Sequence, residues 1–466
     1  GPLIGGTWRT GGASRTLRHP WNGAVLPPVA DAPASEVDEA LSRAHAARQE
    51  LRTARPEVRA GWLRTAATAV ANARDAFAKD LLAEGGKPIT LALAEVDRAI
   101  DTLHAAAAAA DDLAHDDPRT ALGPPGAIQR RPAGIAVAIT PFNFPLNLVV
   151  HKVGPALAAG CPVLIKPAPE TPTAALRLGA LLVAAGVPPD AVAVLPGDRE
   201  VAQRLATAGE ARVVSFTGSA LGGRAIAASA AGKRVVLELG GVAHAVILDG
   251  TDLHSAAARL ALGAFAHAGQ SCISTQHIHV PTANRDAFLE ALIRAIPRVT
   301  PFGDPADPTT RCGSVLRLAD ADRIRATVRE AVTAGARRVL GDDGDGVRIP
   351  PHVLVDPPWD VRLGDEEVFG PVVAVHGYAR PHDAIARIQG SVWGLQAALF
   401  GPDAAALEAI ADDLDVGGIV FQDATARRID AWPYGGARGS GVGREGPAFA
   451  VEDYLTWQTR LHADNR

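Results

Sequence analysis

From residue 135 onward, short apolar segments alternate with longer Ala- and Leu-rich segments, and this alternation restricts the fold more than any other feature of the chain. The short segments predict buried strands, and the longer ones, such as residues 173–185, predict helices. The predicted strands are residues 135–140, 163–166, 191–195, 213–216 and 235–237 in a first series, and 245–248, 276–280, 372–375 and 397–400 in a second. Strands alternating with helices indicate two α/β domains with parallel sheets and ligand sites at the strand carboxyl ends.

The segments that flank these series have other patterns. Residues 35–113 repeat apolar positions every three or four residues, which predicts several amphipathic helices. A Pro- and Gly-rich turn at 123–126, followed by 128–131, predicts a short excursion of strands outside the main body. The partly apolar tail after Pro447 is consistent with an edge strand.

Composition excludes several classes of protein. The 466 residues suffice for two or three domains, and 46 Lys and Arg against 51 Asp and Glu leave no basic excess for binding nucleic acid. The Ala run at 105–110 is far shorter than the roughly 20 apolar residues that span a bilayer. Three cysteines without metal-ligand spacing predict no metal site and fit a reducing cytoplasm, and we expect no secretory signal.

Cys272 is a candidate nucleophile. It ends the Gly-Gln-Ser-Cys segment 269–272, between a helical pattern and a predicted strand. A thiol on such a loop can attack a substrate if its surroundings ionise it. From this segment alone, a small buried apolar side chain is the alternative. Cys161 and Cys312 have no comparable setting, so packing is expected for both.

Glu238 is a candidate base. It follows the apolar segment 235–237 and precedes Leu239, Gly240 and Gly241, which allow another backbone or a ligand to approach closely. A carboxylate placed there can activate a water molecule, although a turn-capping or ion-paired Glu is the alternative. Cys272 and Glu238 belong to different predicted domains, so their pairing would place the site in the cleft between them.

Asn143 is a candidate oxyanion donor. Its Pro-Phe-Asn-Phe-Pro segment, residues 141–145, has a proline on each side that stiffens the turn. A fixed neutral amide suits an oxyanion hole, where each donor contributes roughly 3 kcal/mol. An Asn that only bonds its own turn is the alternative.

Three further segments suit a nucleotide. Residues 216–219, with glycines at 222 and 223, close a predicted strand and open a helix, where backbone N–H groups can bind phosphate. Lys166 ends another predicted strand and could contact ribose or phosphate, or simply be solvated. Glu367 could accept hydrogen bonds from ribose hydroxyls or lie on a charged surface.

Taken in order, these motifs resemble the aldehyde dehydrogenase superfamily, of the NAD(P)-dependent, non-acylating type. The likeness runs from Leu-Ile-Gly-Gly-Thr-Trp at 3–8 to Phe-Ala-Val at 449–451. Its segments, in the family's order, are residues 141–145, 166–168, 216–219, 238–241, 269–272, 367–371 and 433–445. The resemblance implies a Rossmann-like NAD(P)-binding domain (1–117 and 132–241), an α/β catalytic domain (242–446) and a β oligomerisation element (118–131 and 447–466) of a homodimer or homotetramer.

The resemblance also implies a mechanism. Cys272 would attack an aldehyde to form a hemithioacetal, and Asn143 with the Cys272 N–H would stabilise the oxyanion. Hydride transfer to NAD or NADP would leave a thioester, which Glu238 would hydrolyse through an activated water. The cofactor-binding residues implied in the same way are Ile139, Thr140, Lys166, Ala168, Glu170, Gly197, Phe216, Gly218, Ser219, Leu239, Gly240, Glu367 and Phe369.

Departures from the family pattern leave some questions open. Pro169 stands where NAD-preferring members often carry Glu, and Glu170 comes one residue later, so the choice between NAD and NADP is open. Val-Ala-His at 242–244 replaces the common Asn-Ala-Pro or Lys-Ser-Pro, which we expect to affect packing. The short segment 117–131 leaves dimer and tetramer open.

Two rival functions are also compatible with the sequence. A CoA-acylating semialdehyde dehydrogenase would pass the thioester to coenzyme A, but such relatives typically lack the Glu of the motif at 238–241. A catalytically silent binding or structural protein of the same fold is the other rival. Against it stand the intact Cys272, Glu238 and Asn143.

The substrate is predicted only as a class. Candidate wall residues mix aromatic, apolar and cationic character, which suits a small polar or anionic aldehyde. Arg428, before Ile-Asp at 429–430, resembles a position in relatives that act on small hydroxy- or phospho-aldehydes. The predicted wall residues are Phe142, Leu146 and Arg428, with His104 and Trp432 as further candidates.

Overall fold

The computed structural model describes residues 1–113 and 126–461. Up to residue 238, the strands are β1 (Leu3–Ile4), β2 (Thr7–Trp8), β3 (Ser14–Arg15), β4 (Val29–Ala30), β5 (Gly126–Pro132), β6 (Ile135–Ile139), β7 (Val163–Lys166), β8 (Val192–Val194), β9 (Ala211–Thr217) and β10 (Arg234–Glu238). The helices of this part are α1 (Ala34–Thr53), α2 (Pro56–Asn72), α3 (Arg74–Gly85), α4 (Ile89–Asp112), α5 (Asn147–Ala159), α6 (Thr173–Ala184), α7 (Arg199–Thr207) and α8 (Ala220–Ser229).

The second part continues the alternation. Its strands are β11 (Ala243–Ile247), β12 (Thr275–Pro281), β13 (Arg337–Leu340), β14 (His352–Val355), β15 (Val372–Tyr378), β16 (Trp393–Gly394), β17 (Gln396–Phe400), β18 (Gly418–Phe421), β19 (Ala437–Arg438), β20 (Gly441–Val442) and β21 (Leu455–Leu461). Its helices are α9 (Leu253–Phe265), α10 (Arg285–Val299), α11 (Leu318–Thr333), α12 (Arg362–Asp365), α13 (Pro381–Gly390), α14 (Ala404–Asp412) and α15 (Pro447–Ala450).

The first sheet has eight strands in the order β2-β1-β8-β7-β6-β9-β10-β20. Strands β8, β7, β6, β9 and β10 run parallel, as predicted, because helices connect them across the sheet faces. The chain moves outward from β6 to β7 and β8, and then returns to the other side of β6 as β9. The strand order reverses at that point, so a ligand crevice is expected at the carboxyl ends of β6 and β9.

The second sheet has seven strands in the order β13-β14-β15-β12-β11-β17-β18. All of its neighbouring strands are parallel except the edge pair β13 and β14. Residues 239–242 carry the chain directly from β10 of the first sheet to β11 of the second. Cys272 lies in the loop that enters β12, so the amino end of that strand faces the connection between the two sheets.

Two late segments return to the first part of the chain. Strand β20, assigned from the sequence to the catalytic domain, pairs antiparallel with β10 through Leu237 and Glu238. Strand β21 pairs with β5 over its whole length, from Leu455 opposite Pro132 to Leu461 opposite Gly126, as an edge strand of a two-stranded ribbon. Residues 118–125 of the predicted excursion lie outside the described residues.

Side-chain caps explain where two of the helices begin. The side chain of Ser219 caps α8 by accepting a hydrogen bond from the Gly222 amide at 3.2 Å, and Asp252 caps α9 in the same way. Helix α5 is buried along its whole length, including Asn147, His151 and Lys152 among its otherwise apolar residues. None of the helices in the described ranges combines the length and the apolar character that a membrane span requires.

An unusual histidine cluster lies on one face of the second sheet. His244 of β11 is in register with His277 of β12, and His279 is in register with His376 of β15. Nδ1 of His244 lies 3.0 Å from Nε2 of His279, and Nδ1 of His277 lies 2.9 Å from Nε2 of His376. Trp359 stacks on His376 with 4.3 Å between ring centroids. The expectation that the change at residues 242–244 affects packing agrees with this arrangement.

Burial in this cluster lowers the pKa of all four imidazoles, that of His279 to about 3, and neighbouring imidazoles or Arg387 lower them further. The folded chain therefore excludes protons that an unfolded histidine binds below its ordinary pKa of about 6.5. This contribution to stability is fully present above pH 6.5 and is lost as the pH falls. Between pH 7 and 5.5, we expect the free energy of unfolding to drop by on the order of 5 kcal/mol from the cluster alone.

Urea unfolding followed by tryptophan fluorescence at the two pH values measures this drop. His279→Gln should reduce the drop by about 1 kcal/mol, because one excluded proton is removed. His254→Gln, at an exposed position of α9, is the matched control and should leave the drop unchanged. An equal pH dependence in both variants would show that the cluster does not exclude protons.

Candidate active site

The predicted site residues meet where the two sheets are joined. Glu238 ends β10, and Gly241, three residues later, packs against the loop that bears the candidate nucleophile. A Cβ added at Gly241 would lie 3.2 Å from the carbonyl oxygen of Cys272. The glycine is needed for this close approach, which brings the end of the first sheet against the start of β12.

Cys272 is half-buried beside Ile273, Leu395 and Tyr434. Its Sγ lies 3.0 Å from the hydroxyl oxygen of Tyr434. Burial raises the pKa of the Cys272 thiol to about 12, while the Tyr434 hydroxyl opposes this shift. The thiol is therefore neutral at physiological pH, and a base and hydrogen-bond donors are needed to make it a nucleophile.

The loop before Cys272 has a strained backbone. His267 and Ala268 have positive φ angles of 53° and 55°, a conformation that costs energy for residues with a Cβ. Gln270 holds the loop, because its side-chain amide donates to the carbonyls of His267 and Ser314 at 3.1 and 3.2 Å. Gly269 packs against the carbonyl of Gly370, which leaves no room for a Cβ. The segment at 367–371 is thereby joined to the cysteine loop.

Asn143 reaches the same loop. It is buried, and its side-chain amide donates to the carbonyl oxygen of Gln270 at 3.0 Å. An Asn amide has two N–H donors, so one remains for an oxyanion. Helix α4 fixes the end of the turn at 141–145, because the Glu95 carboxylate accepts hydrogen bonds from the backbone amides of Leu146 and Asn147 at 2.9 and 3.2 Å. A buried ion pair with Lys87 holds Glu95 in turn.

Glu238 is buried, and neither of its carboxylate oxygens has a hydrogen-bond partner among the described residues. Burial and the neighbouring Glu445 raise the pKa of Glu238 well above its ordinary value, against the attraction of Lys152 and Arg428. A Cβ added at Gly435 would lie 2.8 Å from its Oε1, so the turn after Tyr434 forms one wall around it. An unpartnered carboxyl of raised pKa is suited to general base catalysis.

Sequence reasoning missed a buried network of charged side chains behind this site. Nη1 of Arg428 lies 2.9 Å from Oε2 of Glu445, and Nζ of Lys152 lies 3.5 Å from Oε1 of the same carboxylate. Burial opposes the ionisation of Glu445, but the two cations outweigh it and lower its pKa to about 2. The segment 433–445 was recognised as a motif, but its sequence does not indicate that Glu445 contacts Lys152 of α5.

Arg428 itself is enclosed by this network. Its side chain is only 7% exposed, and its Nε lies 3.3 Å from Asp430. Its Nη2 lies 3.0 Å from His151, and its guanidinium carbon lies 3.8 Å from the centroid of the Tyr434 ring. The charge of Arg428 is thus compensated inside the protein, close to the candidate nucleophile.

The carboxyl ends of the first sheet supply groups that fit a dinucleotide. The hydroxyl of Thr140 is buried without a partner among the described residues, and burial lowers the pKa of Lys166 to about 8. Gly197 has a φ of +156°, and a Cβ there would collide with Val201. The N-terminus of α8 is cleared by Gly218, which packs against the ring of Phe216. Free N–H groups, a hydroxyl and a cation at strand ends fit phosphate and ribose.

The other predicted cofactor residues differ in their burial and in their hydrogen-bond partners. Ile139, Ala168 and Leu239 are buried. Arg317 donates to Oε1 of Glu170 at 2.7 Å, whereas Oε2 of Glu170 is buried without a partner among the described residues. Gly240 and Glu367 are in direct contact.

Glu367 accepts from the Gly241 amide at 3.2 Å, and burial raises its pKa to about 7. Its carboxyl therefore rests on the backbone of the turn at 238–241. Its other oxygen, Oε2, takes no part in this hydrogen bond and could accept from a ribose hydroxyl, as predicted.

The predicted substrate walls are not equally accessible. Phe142 is half-buried and packs edge-to-face on Phe369 with 5.8 Å between ring centroids. Leu146 has no exposed surface and belongs to the core of the first domain. Trp432 is 64% exposed, and His104 is exposed on α4. In the described ranges, no three His, Cys, Asp or Glu side chains are placed to hold a metal ion.

Comparison with known proteins gives the family. The model of the aldehyde dehydrogenase family matches residues 8–460. The 3-sulfolactaldehyde dehydrogenase of Priestia aryabhattai is 36% identical over 460 residues, which cover 97% of this chain and 96% of that protein.

Solved structures agree over the same length. A glyceraldehyde-3-phosphate dehydrogenase from Methanocaldococcus jannaschii, in complex with NADP, is 30% identical with a TM-score of 0.90, and the match covers 95% of this chain and 98% of that one. Aldehyde dehydrogenase 21 from Physcomitrella patens, in complex with the reaction product succinate, is 31% identical with a TM-score of 0.91, and the match covers 98% and 96%.

These matches confirm the predicted fold, aldehyde oxidation and the use of NAD or NADP. On the family model and on relatives matched over nearly its full length, this chain belongs to the aldehyde dehydrogenase family.

Proposed function

We propose that the protein oxidises a small anionic aldehyde to the carboxylic acid, with Cys272 as nucleophile, Asn143 as oxyanion donor and Glu238 as general base. The observation that carries this proposal is the convergence of the three residues. The Asn143 amide donates a hydrogen bond to Gln270 in the loop that precedes Cys272, and Gly241, in the turn after Glu238, packs against the Cys272 carbonyl. The chain separations are large, so only the fold brings them together.

The first half of the reaction forms a covalent bond to sulfur. The Cys272 thiol loses its proton to a solvent base, and the thiolate attacks the aldehyde carbon while the carbonyl π electrons move to oxygen. The free N–H of Asn143 and the Cys272 amide donate to this oxyanion. Bound NAD(P)+ would supply the acceptor for the hydride that leaves this carbon as the oxyanion electrons re-form the C=O bond of the thioester. Lys166, Thr140 and the start of α8 would hold the dinucleotide.

The second half of the reaction breaks the thioester. Glu238, after losing its proton to solvent, takes a proton from water as the water oxygen attacks the acyl carbon. The C–S bond then breaks, and the acid leaves with Cys272 restored. The raised pKa of Glu238 makes it a stronger base than an exposed carboxylate, and its unpartnered oxygens leave room for the water.

The substrate class follows from two supports. The first is the chemistry of the relatives, whose names specify a sulfonated aldehyde, a phosphorylated aldehyde and, as a bound product, succinate. Each of these molecules has an anionic group near the reacting carbon. The second support is a cation beside the Asn143 turn.

That cation is Arg98 of α4. Its guanidinium carbon lies 5.5 Å from the ring centroid of Phe144, the residue after Asn143. Its side chain is 34% exposed, whereas that of Arg428 is 7% exposed. Asp430 binds its Nε and Nη2 at 2.7 and 2.8 Å, which leaves Nη1 for an anion. The geometry therefore favours Arg98 over Arg428 as the anion contact.

Arg98→Met tests the substrate class. We expect kcat/KM for succinate semialdehyde to fall about 10- to 100-fold, the usual loss for a hydrogen bond to a charged group, while kcat/KM for propanal changes less than about threefold. Initial rates of NAD(P)H formation measure both. Arg64→Met removes an exposed arginine that pairs with Asp111, and should leave both values unchanged. Equal losses for both aldehydes in Arg98→Met would contradict anion recognition.

Assembly and location remain predictions. A homodimer or homotetramer is supported by the ribbon of β5 and β21, because a two-stranded ribbon is marginally stable alone and its edges can pair with another chain. Apolar side chains near it are exposed, with Leu461 at 72% and Phe449 at 48%. Sedimentation equilibrium of the purified protein measures the assembly directly. A cytoplasmic location is likewise a prediction, which fractionation of the host cell measures.

A further inference from the structure

Tyr434 is in direct contact with the candidate nucleophile, although no role was assigned to it from the sequence. We propose that Tyr434 is a catalytic residue whose hydroxyl donates a hydrogen bond to the sulfur of Cys272 and stabilises the thiolate that attacks the aldehyde. This inference rests on the proposed role of Cys272. It adds a donor to the sulfur itself, distinct from the oxyanion donors.

The distance and the burial carry the first step. Tyr434 Oη lies 3.0 Å from Sγ, within the range of a hydrogen bond that involves sulfur. Tyr434 is buried, and the Cys272 sulfur is the hydrogen-bond partner of its hydroxyl among the described residues. Burying a hydroxyl costs stability unless it forms a hydrogen bond, so a ring needed only for packing would be better as phenylalanine. The hydroxyl of Tyr434 is therefore explained by its hydrogen bond to the Cys272 sulfur.

The backbone fixes the position of the ring. The Tyr434 amide donates to the carbonyl of Glu445 at 3.1 Å, and the Glu445 amide donates back at 2.6 Å. Ile273 and Leu395 pack around the ring and the thiol. The hydroxyl is therefore aimed at Sγ before any substrate binds, so little reorganisation is needed when charge develops on sulfur.

A cation strengthens the donor. The Arg428 guanidinium faces the Tyr434 ring at 3.8 Å from its centroid, held there by Glu445 and Asp430. A positive charge on the ring face withdraws electron density from the phenol oxygen and makes its O–H a better donor. Burial raises the pKa of Tyr434 well above its ordinary value, so the hydroxyl keeps its proton. A protonated phenol beside a thiolate can only donate.

Tyr434→Phe tests this inference because it removes only the hydroxyl. We expect the rate of alkylation of Cys272 by iodoacetamide at pH 8 to fall about three- to tenfold. A lost hydrogen bond to an anion raises the thiol pKa by about one to two units, and the greater nucleophilicity of the more basic thiolate offsets about half of that effect. Peptide mass spectrometry resolves Cys272 from Cys161 and Cys312.

Tyr378→Phe is the matched control. Its hydroxyl also donates to a buried partner, the Ile247 carbonyl at 2.7 Å, but in the second sheet. We expect its alkylation rate to equal that of the native protein. If Tyr434→Phe also alkylates at the native rate while its thermal unfolding temperature falls, the hydroxyl is only structural and the inference is overturned.

Two further outcomes separate this inference from the proposed function. If the native protein oxidises aldehydes and the alkylation rate is unchanged in Tyr434→Phe, Tyr434 has no catalytic role. If the native protein oxidises none while alkylation still slows, the contact stands and the proposed function fails. Should Tyr434→Phe not fold, 3-fluorotyrosine at position 434 keeps the ring and makes the hydroxyl more acidic. A faster alkylation would then support the inference, and an unchanged rate would contradict it.

Discussion

Cys272→Ala should lower kcat for aldehyde oxidation by at least about 10⁴-fold, because it removes the sulfur to which the substrate is joined in the proposed mechanism. The loss should appear in kcat for every aldehyde and with either NAD or NADP. Initial rates of NAD(P)H formation measure it. The folded state should survive, since Cys272 is only half-buried and forms one side-chain hydrogen bond among the described residues.

Cys312→Ala provides the control for this variant. Cys312 is fully buried in the second domain, and burial raises its pKa to about 12. We expect this variant to lose some stability through the small cavity but to keep native turnover. Retention of more than about one per cent of native kcat by Cys272→Ala would contradict covalent catalysis through this sulfur.

Glu238→Gln should separate the two halves of the reaction. We expect steady-state kcat to fall about 10²- to 10⁴-fold, the usual contribution of a general base. Glutamine has the same shape as glutamate, and the carboxylate that it replaces has no hydrogen-bond partner among the described residues. The stability of the folded state should therefore be unchanged. Because Glu238 is needed most for hydrolysis, rapid mixing should show a burst of up to one NAD(P)H per subunit, followed by slow turnover.

The same variant tests the CoA-acylating alternative. If water is the native acceptor, the native enzyme turns over without coenzyme A, and Glu238→Gln stalls as a thioester. If native turnover instead requires coenzyme A, Glu238 has no water to activate and the hydrolytic assignment is wrong. A Glu238→Gln variant with native steady-state kcat would remove the general base role.

Much of the fold follows from the sequence because buried parallel strands are almost uniformly apolar. Each strand predicted from residue 135 onward is present within a few residues, as with Val163–Lys166. The return of β20 to the first sheet could not be predicted in this way. A two-residue strand has no periodicity, and its pairing with Leu237 and Glu238 depends on the folded second domain.

The candidate site was predictable where a backbone feature marked it. Asn143 lies between prolines, and Glu238 precedes a glycine pair, so both could be singled out by local chemistry. The contact between Cys272 and Tyr434 joins residues 162 positions apart, and only the fold reveals it. Likewise, the alternation of His277 and His279 predicts one shared face, but not that His244 and His376 align beside them.

Residue type alone also does not give accessibility. Arg428 suggested an anion site from its charge, yet Glu445 and Asp430 compensate that charge in the interior. Arg98 lacked a motif and was not singled out, although it lies beside the turn of Asn143 with part of its surface exposed. Leu146 is fully buried in the core of the first domain, which its apolar side chain alone did not reveal. Its substrate role is still a prediction.

Trapping the acyl intermediate tests the central claim most directly. Glu238→Gln is mixed with succinate semialdehyde and NAD(P)+, quenched in acid at the end of the burst, and digested for peptide mass spectrometry. A succinyl group should be found on the peptide that contains Cys272, in an amount equal to the NAD(P)H formed. NAD(P)H formation with no acyl group on Cys272, or with the group on Cys161 or Cys312 instead, would contradict the account.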